Sequence, residues 1–78
     1  MVEEPTPGTQ RAIVLDALKA RGTAGATCDR LEELTGLAHR FCSARVCELV
    51  HGGFAAETER KELTRRGQPA TVLISTGK

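Results

Sequence analysis

Residues 34–54, Leu-Thr-Gly-Leu-Ala-His-Arg-Phe-Cys-Ser-Ala-Arg-Val-Cys-Glu-Leu-Val-His-Gly-Gly-Phe, constrain the fold more than any other stretch. A short helix ends at Gly36, and a turn of about three or four residues buries Leu37. The helix that follows carries Cys42, Val46, Leu49 and Val50 on one face until Gly52-Gly53 stops it. The same spacing turns Arg40, Phe41, Ala44, Cys47 and His51 largely outward. Two helices joined by a glycine-containing turn, the second with one apolar and one polar face, read as a helix-turn-helix. In that motif the second helix enters the DNA major groove.

The flanking segments complete the outline. Thr9 is the expected N-cap of a first helix running to about Arg21, with Ile13, Val14, Ala17 and Leu18 as its apolar stripe. Lys19 and Arg21 suit the C-terminal dipole, and Gly22 supplies the stop. Thr23-Ala24-Gly25-Ala26 is a connector with room for a very short strand at its end. Thr27 caps a second helix from about Cys28 to Thr35, with Leu31 and Leu34 facing inward. The third helix spans about Ala38 to His51.

Beyond Gly53 the pattern changes from a period of about 3.6 toward extended structure. Phe54–Thr58 and Thr71–Thr76 are the strand candidates, the second β-branched and bounded by Pro69 and Gly77. The polar, basic run Glu59–Pro69 between them reads as a loop with a turn at Arg66-Gly67-Gln68-Pro69. An antiparallel hairpin is the short way to join two such strands. The expected fold is therefore α+β, a winged helix-turn-helix of three helices and a two-stranded hairpin wing. It occupies residues 9–76, after a disordered lead-in over residues 1–8 that carries two prolines and two adjacent glutamates.

The run Thr35-Gly36-Leu37, Ser43-Ala44-Arg45, Glu48-Leu49 and Gly53-Phe54, followed by Leu63-Thr64-Arg65-Arg66-Gly67 and Ala70-Thr71-Val72, resembles small winged-helix proteins encoded by bacteriophages and bacteria. The resemblance covers about residues 10–76. It implies a DNA-binding protein, a transcriptional regulator or an accessory factor of DNA metabolism, working in the cytoplasm of a bacterial host. Two features depart from the family pattern: Leu73-Ile74 stand where an aromatic often ends the strand, and Glu59 and Glu62 interrupt the basic wing.

Charge permits nucleic-acid binding without demanding it. The net charge is +1. From His39 to Arg66, Arg40, Arg45, Arg60, Lys61, Arg65 and Arg66 stand against Glu48, Glu57, Glu59 and Glu62, whereas Asp29, Glu32 and Glu33 outnumber Arg30 between Cys28 and Gly36. Each neutralised phosphate adds affinity through counterion release, so one copy should bind weakly. Useful affinity then calls for a homodimer, a larger assembly or tandem sites. Two Phe, with no Trp or Tyr, leave little to stack on single strands or RNA.

The expected duplex-DNA face combines both halves of the motif. Arg40 and Phe41, early in the third helix, could meet guanine and a thymine methyl, and His39 lies beside them. Ser43 and Ala44 let the backbone approach, and Arg45 can reach a phosphate or pair with Glu48 one turn on. Thr27 could donate to a phosphate, although its role as N-cap needs no ligand. Arg60, Lys61, Arg65 and Arg66 form the wing's basic cluster. The competing expectation is a winged helix used as a protein–protein module, with Phe41, Cys47 and the Val50 edge as its contact.

Other chemistry is not expected. His39, Cys42, Cys47 and His51 cannot all serve one tetrahedral metal site, because helical spacing turns Cys42 to the core and His51 away. No Ser/His/Asp set, paired-carboxylate cleft or Gly-rich phosphate loop is present, so neither an enzyme nor a cofactor is expected. Three cysteines without CxxC spacing and an N-terminus without an apolar run point to reduced thiols in a cytoplasm. No apolar segment approaches the roughly 20 residues of a membrane span.

Overall fold

Capping residues set the helical half of the computed structural model, which describes residues 6–77. Helix α1 spans Pro7–Arg21. Its N-cap is Thr6, whose hydroxyl accepts from the Thr9 amide, so the helix starts earlier than a Thr9 cap implies. Proline in the first helical turn explains the shift, since it lacks the N–H that would be orphaned there and holds φ near the helical value. Thr6 to Gly8 therefore belong to the domain, while residues 1–5 of the expected lead-in lie outside the described residues. A single 3-10 turn, Gly22–Ala24, follows.

Helix α2, Cys28–Thr35, matches its expected bounds. Thr27 accepts from the Arg30 amide at 3.1 Å, and Gly36, at φ 75°, closes the other end. Helix α3 runs His39–His51. Leu31 is fully buried, but Leu34 is 51% exposed, contrary to the expectation that both face inward. An eight-residue helix that packs along one line has room for few core positions, and Leu31 takes the central one.

Strands β1 (Ala55–Leu63) and β2 (Pro69–Ser75) form an antiparallel hairpin. Both strands are displaced from the expected segments, and the loop shrinks from Glu59–Pro69 to Thr64–Gln68. The charged run does not block a strand here, because one face of the hairpin is solvated. Pairing shifts between Glu57 and Lys61: Glu57 faces Leu73, but Lys61 faces Thr71. That bulge is stitched by Thr58, whose hydroxyl donates to the Val72 carbonyl at 2.7 Å and accepts from the Arg60 amide at 3.2 Å. The very short strand of the connector exists as one antiparallel bridge, Ala26 with Leu73.

Val14 and Leu18 of α1, Ala26, Leu31, Cys42 and Leu49, Ala55 and Leu73 make the core, with Leu37 and Val46 packed against it. Three helices followed by a two-stranded antiparallel hairpin give the α+β layout of a winged helix-turn-helix. No helix among the described residues is long and apolar enough to cross a membrane.

Candidate nucleic-acid interface

The expected face divides into residues that stay available and residues the fold uses. Arg40 is exposed in the first turn of α3, its guanidinium 4.7 Å from the centre of the Phe41 ring. Phe41 is half-buried rather than outward, so it serves as a platform that holds Arg40 through a cation–π contact. Ser43 is exposed next to them, and Ala44 is half-buried. Arg66 is exposed at the hairpin turn, where the Thr64 hydroxyl accepts from the Arg66 and Gln68 amides. Among the described residues Arg40, Arg60, Lys61 and Arg66 make no ion pair with a carboxylate.

Arg45 is committed elsewhere. Its Nε meets Glu48 Oε1 at 2.7 Å, its Nη1 donates to buried Gln10 at 3.3 Å, and its side chain is only 14% exposed. Arg11 meets the other Glu48 oxygen at 3.4 Å, so this network joins α1 to α3 instead of facing a ligand. The i, i+3 pairing was the alternative legible in the sequence. Thr27 is buried as well as capping, which removes its hydroxyl from reach of a phosphate. Arg60 folds back from the bulge to donate to the Thr23 carbonyl at 2.6 Å, and Lys61 donates to Thr71 at 2.7 Å. Arg60 is thereby drawn toward the 3-10 turn and Lys61 across to β2.

Arg65 is the largest departure. Its side chain reaches Asp29 at 2.9 Å, Glu32 at 3.3 Å and Glu33 at 3.7 Å, and its amide donates to Asp29 at 3.1 Å. The hydrogen bond and charge of Arg65 hold the Asp29 carboxyl below its usual range, and the carboxylates hold Arg65 above its own. The guanidinium thus clamps the wing to α2. A depressed folded-state pKa means that the stabilisation is present above the ordinary Asp value of about 4 and fades as pH falls through the lowered one. Arg65→Ala should therefore melt below wild type at neutral pH, and the gap should close on acidification through that range. A gap unchanged by acid would remove Asp29 from the clamp.

A groove of 640 Å³ lies under this clamp, lined by residues of α2, by His39 and by the turn from Thr64 to Ala70. His39 joins Glu32 there at 2.7 Å, and that contact raises the imidazole pKa. The sequence reading missed this convergence, because Asp29 and Arg65 are 36 residues apart and no local spacing links them.

No protein-family model, curated protein or solved structure matches the chain.

Proposed function

We propose that this protein binds duplex DNA as a winged helix-turn-helix, with α3 in the major groove and the hairpin turn on the backbone. The observation that carries the reading is the pair of exposed, carboxylate-free cations at its two ends, Arg40 on α3 and Arg66 on the turn. Arg40 is pre-ordered on Phe41 and can present its fork to a guanine edge. Arg66, on a glycine-containing turn, suits a phosphate. The acidic surface of α2 is masked locally by Arg65, so repulsion from DNA is reduced beside the wing. Transcriptional regulation or an accessory part in DNA metabolism, in a phage or bacterial setting, is the biological role that suits this binding mode, and the near-neutral charge favours more than one copy per site.

Once a preferred site has been selected from a random duplex pool, Arg40→Ala should weaken it by about 1–3 kcal/mol and relax specificity at one base pair. Arg66→Ala should weaken all duplexes alike and lower the salt slope by about 1. Fluorescence anisotropy across a salt series reads both, and unchanged affinity in both variants would remove the assignment.

A second reading, a protein–protein module, draws on different residues from those expected. Leu63 at the end of β1 is 73% exposed and Leu34 on α2 is 51% exposed. NMR shifts that gather around Leu34 and Leu63 with protein concentration, and none with duplex at low salt, would favour it.

A further inference from the structure

Cys28 and Glu32 stand one helical turn apart on α2, and His39 and Cys42 stand about one turn apart on α3. Each pair lies at i, i+3 or i, i+4 spacing, so each occupies one face of its helix. The helix-turn-helix packs those two faces together. Sulfur of Cys28 lies 3.9 Å from sulfur of Cys42 and 3.8 Å from Glu32 Oε2, and the same oxygen is 2.7 Å from His39 Nδ1. Ligand atoms of Cys28, Glu32 and His39 all fall within 4.8 Å of one another.

From this juxtaposition we infer that Cys28, Glu32 and His39 form a site for a zinc-class divalent cation that bridges α2 and α3, with Cys42, outside that group but 3.9 Å from the Cys28 sulfur, closing in as the fourth, tetrahedral ligand. Two thiolates about 2.3 Å from one tetrahedral ion are separated by about 3.8 Å, close to the observed sulfur spacing. Two sulfurs, one imidazole and one carboxylate are ligand types that zinc accepts. The His39–Glu32 contact is shorter than a tetrahedral edge, so the exposed imidazole swings outward to admit the ion. His39 is 76% exposed and lines the groove with Cys28 and Glu32, which provides the entry path, while Cys42 is fully buried behind Cys28. Arg65 holds the carboxylate through Oε1 and leaves Oε2 to the site. On binding, each thiol releases its proton to solvent and the metal keeps its oxidation state. Cys47 and His51, also one turn apart but on the exposed side of α3, belong to no group of potential ligands among the described residues and provide the internal control.

The test is a cobalt(II) titration of the full chain, kept reduced with a phosphine, followed by displacement with zinc. We expect one equivalent to bind with thiolate-to-cobalt charge-transfer absorption and tetrahedral d–d bands, and zinc to raise the melting temperature. Cys28→Ser and His39→Ala should each weaken binding at least about 10-fold. His39 is exposed enough for its variant to fold, as circular dichroism would verify. The double variant Cys47→Ser with His51→Ala should bind like wild type. Absence of the charge-transfer band at stoichiometric cobalt, unchanged affinity in Cys28→Ser and His39→Ala, or loss of binding in the double variant would each overturn the site.

Discussion

Replacing Gly25 by alanine is expected to cost about 3–5 kcal/mol of folding stability. Gly25 sits at φ 65° and ψ −168°, a region that is essentially glycine-only. A Cβ there would stand 2.2 Å from the Leu73 carbonyl oxygen and 2.9 Å from Val72 Cγ1. Backbone on one side and a buried valine on the other leave it nowhere to move. Relief requires separating the connector from β2, which breaks both 2.9 Å hydrogen bonds between Ala26 and Leu73. Strain of about 1–3 kcal/mol and two hydrogen bonds at about 1 kcal/mol each predict a loss of about 3–5 kcal/mol. A domain of this size commands only about 4–12 kcal/mol in total. Gly36→Ala is the comparison: its φ is 75°, but the space around it is open, so the cost is the left-handed penalty of about 1 kcal/mol. Urea unfolding reads both as shifts in midpoint at constant slope. Equal losses at the two glycines would mean that the connector does not pin the hairpin to the helices.

The glycine contrast also marks where sequence reading succeeds. Helix α2 was legible residue by residue because both of its boundaries are chemical: a threonine that can cap and a glycine that can turn left-handed. The start of α1 was less so, since Thr6 and Thr9 are equally good caps and only Pro7 decides between them. The hairpin was harder. Glu59, Arg60 and Lys61 look like a loop by polarity, but they sit on the solvated part of a strand whose pairing is set by Val72 and Leu73 on its neighbour. A bulge then breaks the alternation that would have revealed the strand.

For the interface the same physics applies at longer range. Arg40 and Arg66 could be chosen from position alone, as the first turn of one helix and the tip of one turn. Arg65 could not be separated from Arg66 in that way. Its partners Asp29, Glu32 and Glu33 lie on another element, and their convergence depends on how the hairpin leans on α2. Similarly, the sequence groups His39 and Cys42 with Cys47 and His51 on their own helix, whereas their neighbours in space are Cys28 and Glu32 across the turn. The informative spacing was two short pairs on two helices rather than four residues on one.

Leu31→Ala and Leu34→Ala carry that lesson into a stability measurement. Both leucines are on α2, three residues apart, and periodicity alone assigns them to one stripe. Leu31 is fully enclosed in the core formed by Val14 and Leu18 of α1, Cys42 and Leu49 of α3, and Leu73 of β2. Truncating it removes buried methyl groups and leaves a cavity where three helices and the hairpin meet, at an expected cost of about 2–5 kcal/mol. Leu34, half in solvent, should lose no more than about 0.5 kcal/mol. Against a total stability of about 4–12 kcal/mol, the first variant should unfold at a clearly lower urea midpoint, and the second should be indistinguishable from wild type. Similar losses from both would place Leu34 in a contact, and a protein partner or second copy covering α2 would then explain it better than the isolated domain does. A loss confined to Leu31 leaves Leu34 exposed at no cost to the fold.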